Sequence, residues 1–148
     1  MNRSTAKWIM STFQCCHCCE RVTHVENDFL CTSCHQLIQL FSNGESNRHR
    51  RGHAFLTASM LKTIPVLYAT ENIPCEVKTL YAHYFYGGHD WYIAELDPET
   101  GRAFSYCPCY PGQWGYVDLV MEATVGAFSV IERDLHFEPT SVQELGIA

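Results

Sequence analysis

No apolar run in this 148-residue chain is long enough to cross a bilayer as a helix, which takes about 20 consecutive apolar residues. The first ten residues, "MNRSTAKWIM", hold only Trp8, Ile9 and Met10 before polar residues resume. That is too short for the apolar core of a secretory signal, so a cytoplasmic, reducing setting without a membrane is expected. Nucleophile elbow, phosphate loop and H-E-x-x-H helix are all missing, which removes the commonest hydrolase and nucleotide-binding readings. No internal repeat is present. Basic residues are scarce beyond residue 62, where three Lys/Arg face twelve acids, a net charge of -9. The first 62 residues carry seven Lys/Arg against four acids, net +3. Such asymmetry marks two modules with different surfaces. The acidic one should repel nucleic acid and attract a basic protein surface.

What is present argues for a packed domain. The chain is 47% hydrophobic and 13% aromatic, too apolar to be a disordered chain. Its nine cysteines, in a reducing compartment, read as metal ligands and free thiols rather than disulfides. Three stretches follow from composition: a cysteine-rich module with a short helix at 1–43, a basic polar linker at 44–59, and an acidic domain at 60–148.

The module holds "FQCCHCC" at 13–19 and "FLCTSCH" at 29–35. Two C-x2-C knuckles can close a tetrahedron around zinc, with sulfurs at about 2.3 Å. The second knuckle is Cys31 with Cys34. The first is Cys15 with Cys18 or Cys16 with Cys19. Phe13 and Phe29 each stand two residues before Cys15 and Cys31, and that matching flank favours Cys15, Cys18, Cys31 and Cys34. Cys16 and Cys19 then form an alternate register, while His17 and His35 adjoin better-placed cysteines. Four protein ligands leave no open position, so the zinc is expected to be structural, one per chain. The stretch "HQLIQLF" after the second knuckle places Leu37, Leu40 and Phe41 at i, i+3, i+4 and predicts a short helix. Cys107-Pro108-Cys109, with Cys75 the only other cysteine in that half, offers too few ligands and reads as free thiols.

The linker "RHRRGH" at 48–53 brings Arg48, Arg50 and Arg51 together. It is expected to be solvated or to strap onto the acidic domain, with nucleic-acid binding as the alternative.

In the acidic domain, "TLYAHYFY" (79–86), "DWYIAELD" (90–97) and "RAFSYC" (102–107) read as strands joined by "GGH" (87–89) and "DPETG" (97–101), an antiparallel meander. "PCYPG" (108–112) is a loop. "YVDLVMEA" (116–123) has the period of an amphipathic helix, "FSVIERDL" (128–135) reads as a strand, and Ser141 with Glu144 has capping-box spacing for a last helix. The class expected is α+β, a small antiparallel sheet with few short helices, preceded by a zinc-ribbon-like module.

The phrases "IPVLYATE" (64–71), "YAHYF" (81–85), "WYIAELD" (91–97), "WGYVDL" (114–119) and above all "IERDLHFEPTSVQEL" (131–145) together resemble the domain of unknown function 2958 family. These are small proteins carried on plasmids, integrative elements and phage-like DNA, often near anti-restriction and maintenance genes. The resemblance covers residues 60–148. It departs at "AFSYCPCYPGQ" (103–113), and the zinc-knuckle segment stands outside it as an added module. The family has no established activity. The resemblance implies an accessory protein of mobile DNA, of the kind that acts on host defence or replication machinery.

An enzymatic reading rests on Glu95, the His89-Asp90 pair and "ERDLH". In an extended strand, Glu132, Asp134 and His136 share one face and Arg133 the other, a row suited to metal binding or acid–base work. The structural alternative pairs Arg133 with Glu95 or another acid and lets Glu132 or Asp134 cap a turn; such networks are commoner than catalytic ones. A non-catalytic binding protein is therefore expected, docking on a host protein complex such as an anti-CRISPR or anti-restriction target. A zinc-dependent nucleic-acid regulator and, more weakly, a hydrolase are the alternatives. Tyr84, Tyr86, Tyr110 and Trp114 are candidate interface anchors, and a homodimer is compatible with the composition. Metal analysis of protein purified without chelator should find one zinc per chain, abolished in Cys31→Ser/Cys34→Ser; folded, metal-free wild-type protein would remove the zinc assignment.

Overall fold

The computed structural model describes residues 47–109, 111–124 and 130–147, together with 13–14, 21–22, 32 and 36–37. The cysteines of the N-terminal module and Tyr110 lie outside the described residues. Strands β1 (Phe13–Gln14) and β2 (Arg21–Val22) pair antiparallel, Phe13 opposite Val22. Of the helix expected in "HQLIQLF", Gln36 and Leu37 are described; both are helical, and Leu37 is buried in the main core.

Residues 47–59 of the stretch expected as a linker are built into the domain. Helix α1 (Arg48–Arg51) is a single turn closed by Gly52, whose positive φ is the left-handed cap that glycine favours. Phe55 and Leu56 then reach full burial, and helix α2 (Ala58–Thr63) starts on Thr57, whose hydroxyl accepts from the Met60 amide. The core therefore begins before residue 60. Its apolar side chains, not the polarity of the flanking arginines, set the boundary.

The rest of the chain forms a one-turn 3₁₀ helix (Cys75–Val77), then β3 (Thr79–Leu80), β4 (Ala82–Tyr86), β5 (His89–Leu96), β6 (Arg102–Cys107) and β7 (Gln113–Asp118). Helix α3 (Leu119–Thr124), β8 (Glu132–Arg133), β9 (Thr140–Ser141) and α4 (Val142–Leu145) follow. The main sheet is antiparallel in the order β7-β6-β5-β4-β8, and β3 pairs with β9. The class is α+β, with a small antiparallel sheet and few short helices.

The β4–β5 turn is made by Gly87 and Gly88, both at positive φ, which matches the twist of a two-residue hairpin. The β5–β6 turn closes on Asp97, whose carboxylate accepts from the Glu99 amide and the Thr100 hydroxyl. Ser141 and Glu144 form the capping box that their spacing announces. Two boundaries differ from the sequence pattern. Tyr116 and Val117 stay in β7, opposite Phe104 and Ala103, and the helix begins only at Leu119 with Asp118 Oδ1 accepting from the Met121 amide. The strand expected over 128–135 is confined, among described residues, to Glu132–Arg133. Asp134 Oδ1 accepts from the His136 amide and turns the chain away.

Each face of the sheet carries a core. On one, Tyr84, Ile93 and Leu96 pack under Phe55, Leu56, Leu119 and Ile131. On the other, Tyr92, Phe104, Tyr106 and Trp114 pack against Leu80, Phe137 and Val142. Among the described residues no helix is long and apolar enough to cross a membrane. Tyr84 lies at the centre of the first core. Its ring stacks on Phe55 at 4.3 Å and its hydroxyl donates to the Phe55 carbonyl at 2.6 Å. Burial pushes this phenol well above its ordinary value. Tyr84→Phe strands that carbonyl and should cost about 1.5 kcal/mol, measured by urea unfolding; an unchanged midpoint would show that the bond contributes nothing.

Candidate functional site

Glu95 is 3% exposed, and a carboxylate so buried needs partners in the protein. Its position depends on a bulge. Tyr92 faces Tyr106 and Glu95 faces Phe104, with the register shifting between Ile93 and Glu95. Directly opposed residues share a face, so the extra residue puts Glu95 on the same face as Tyr92; regular pleating over three residues would put them on opposite faces. There the Glu95 carboxylate accepts from the Tyr68 amide at 2.7 Å, the Thr70 amide at 2.9 Å and the Thr70 hydroxyl. Lys78 Nζ lies 3.7 Å away, equally buried, and donates to the Thr70 carbonyl and hydroxyl at 2.6 Å each. Burial pushes the Glu95 carboxyl up, but the Thr70 and Tyr68 hydrogen bonds and the Lys78 charge outweigh it and hold the group below its ordinary value.

The segment clamped in this way is the "VLYATENIPCEV" loop, 66–77. Tyr68 takes φ +69°, a left-handed conformation uncommon for a side chain of this size. The Glu95 bond to its amide holds it there. The outcome is apolar display: Val66, Tyr68, Ile73 and Val77 are all exposed, Tyr68 by 55%. Glu71 and Glu76 are exposed beside them. The Tyr68 ring stands 6.4 Å from Tyr116 on β7, which in turn packs on Phe104 at 5.3 Å and under the Arg102 guanidinium at 4.5 Å. Between them lies a cleft of about 260 Å³, floored by Lys78, Glu95 and Phe104. It is an open, aromatic-walled recess with Glu71 at its rim, suited to taking a side chain from another molecule.

The "ERDLH" side chains do not share a focus. Glu132 meets His53 Nε2 at 2.8 Å, Arg133 Nε donates to the Ala54 carbonyl at 3.1 Å, and His136 is exposed. The pairing of Arg133 with Glu95 is not formed; Lys78, the only lysine beyond residue 62, takes that place. Asp134 joins His83 instead. His83 Nε2 lies 2.7 Å from Asp90 Oδ1 and Nδ1 lies 3.3 Å from Asp134 Oδ2, with the ring stacked on Tyr92 at 4.4 Å. The His136 amide, aided by His83, holds the Asp134 carboxyl below its ordinary value against burial. Both imidazole nitrogens are engaged, so the trio ties β4, β5 and the turn after β8 together and leaves neither nitrogen facing an open site.

Of the arginine cluster, Arg51 is buried. Its Nε donates to the Ile131 carbonyl at 2.6 Å, beside Asn47, which bonds the Ala123 carbonyl at 3.0 Å. It straps α1 to the domain through the backbone carbonyls of Ile131 and Ala123. Arg48 and Arg50 are exposed, with Arg50 bonded to Asn47 Oδ1. Tyr84, a proposed surface anchor, is a core residue, whereas Tyr86 is exposed and Trp114 half-buried. Cys75, Cys107 and Cys109 are free thiols, and burial raises the Cys107 thiol. Cys15, Cys16, Cys18, Cys19, Cys31 and Cys34 lie outside the described residues, and among those described no group of three His, Cys, Asp or Glu is set to hold a metal.

Sequence reasoning singled out Glu95 but missed Thr70, Lys78, His53 and His83. The one available signal was that lone lysine in an acidic half. No family model, curated protein or solved structure matches the chain.

Because the Glu95 carboxyl is depressed on folding, its stabilisation is present above the unfolded value and lost as pH falls through the folded one. Glu95→Gln should cost about 2 kcal/mol at neutral pH by weakening a charged acceptor, and the gap to wild type should close below about pH 4.3. Urea unfolding of both proteins across pH checks this; a gap independent of pH would show that the charge is not what holds the loop.

Proposed function

We propose that this is a non-catalytic accessory protein of mobile DNA that docks on a host protein complex, a defence or DNA-processing assembly, and modulates it. The reading rests on the resemblance of residues 60–148 to the domain of unknown function 2958 family, and on one structural observation. A buried carboxylate holds the 66–77 loop with its apolar side chains turned outward, next to Tyr116, on a strongly acidic domain. Exposed apolar groups held in fixed positions characterise a binding surface, and the surrounding acids suit a basic partner face.

The N-terminal module supplies a structural zinc in this reading, held by Cys15, Cys18, Cys31 and Cys34. The pairing of β1 with β2, which brings together the two ends of the segment carrying the first cysteine group, is compatible with a knuckle there. Nucleic-acid binding is the competing reading. The burial of Arg51 leaves Arg48 and Arg50 as the exposed charges of its patch, which favours the protein partner.

A tagged pull-down from host lysate, with and without nuclease, tests this. A discrete protein partner should survive nuclease, and its recovery should fall at least about tenfold in Tyr68→Ala/Ile73→Ala. Recovery of bulk nucleic acid, lost on nuclease treatment or at moderate salt, would make the protein a nucleic-acid binder instead.

A further inference from the structure

The main sheet ends on one side in β7, and the hydrogen-bond pattern shows which of its groups are left over. The Leu119 amide donates to the Gly101 carbonyl at 2.9 Å, just beyond the last β6–β7 pair. Bonded and non-bonded pairs alternate in an antiparallel ladder. Ala103–Val117, Ser105–Gly115 and Cys107–Gln113 are therefore the bonded pairs. The amides and carbonyls of Trp114 and Tyr116, and the amide of Asp118, point away from β6. No described residue bonds to them. The devices that usually protect an edge are missing: β7 has no proline, no lysine and no bulge, and it runs for six residues.

The surroundings select what fits. On one side of the edge lie Tyr116 and, beyond it, Tyr68 and Glu71. On the other, Gly115 has open space where a Cβ would be, next to Val117, Trp91 and Met121, in a groove of about 320 Å³. At the end of the strand, Asp118 and Glu122 have no ion-pair partner among the described residues. The Glu122 carboxyl is pushed up by burial and then by Asp118, as expected where negative charges crowd.

From this edge and its charge we propose that β7 accepts an extended basic segment of a partner protein as a sixth strand. Basic side chains would face Asp118 and the Tyr68–Tyr116 cleft, and alternate apolar ones the slot over Gly115. The proposal deepens the docking function above and rests on it for the nature of the partner.

The probe is a labelled ten-residue peptide alternating Lys with Val, with a Glu/Val peptide as control. The full chain should bind the Lys/Val peptide, and amide exchange at Trp114, Tyr116 and Asp118 should slow in the complex. Tyr116→Pro removes one outward amide at an edge position where proline is tolerated. It should weaken binding at least tenfold further than Tyr116→Val, which loses the ring from the cleft but keeps the amide. Equal losses in the two variants, equal binding of the Glu/Val peptide, or unslowed exchange would overturn the proposal. Self-association that buries the same amides and excludes the peptide would also overturn it, making a second copy the occupant. A lysate partner captured equally by Tyr116→Pro would sink the edge and leave the docking function standing. Loss of Tyr68-dependent capture with intact peptide binding would do the reverse.

Discussion

A carboxylate sealed inside a protein must find its hydrogen bonds there, and Glu95 finds them in the backbone of a loop 25 residues or more away in sequence. That single demand organises one side of the molecule. The bulge in β5 turns Glu95 to the aromatic face, the amides of Tyr68 and Thr70 close on it, and Lys78 balances its charge while binding Thr70. The positive φ of Tyr68, unfavourable by itself, is held by the bond its amide makes. A loop fixed in this way loses little further entropy when a partner engages it.

A second polar trio works on the same face of the sheet. His83 joins Asp90 and Asp134 across β4, β5 and the turn after β8, with Tyr92 and Phe137 packed against its ring. On the opposite face, Arg51 and Asn47 bond the carbonyls of Ile131 and Ala123 and so anchor α1. In each case a charged or polar side chain satisfies groups that the short strands leave over. These are structural uses of residues that, in sequence, resemble catalytic or nucleic-acid-binding clusters. Among the described residues, the side left least defended is the edge of β7, which lies next to the Glu95-held loop.

Local signals were legible where a short-range rule decides the outcome. The glycine pair at 87–88, the Asp97–Gly101 turn, the three meander strands and the Ser141–Glu144 capping box follow from residues within a few positions of one another. The pattern misled where distant pairing overrides local period. "YVDLVMEA" has helical spacing, but the β6 ladder holds its first three residues in a strand. "FSVIERDL" has strand character, but Asp134 folds back on the His136 amide. "RHRRGH" has the composition of a linker, but Arg51 meets carbonyls 72 and 80 residues downstream.

By itself, the amino-acid order determined the α+β class, the acidic character of the second half, the main turns and the prominence of Glu95. Composition and near-neighbour chemistry suffice for these. Only the tertiary structure decided which face Glu95 occupies, because one extra residue in β5 reverses the alternation and that is invisible without the partner strand. It also decided that Lys78 rather than Arg133 is the partner of Glu95, that Tyr84 is core while Tyr68 and Tyr116 are surface, and that β7 is an edge among the described strands. Each depends on which chain segments meet in space, and the spacing of residues along the chain does not carry that information.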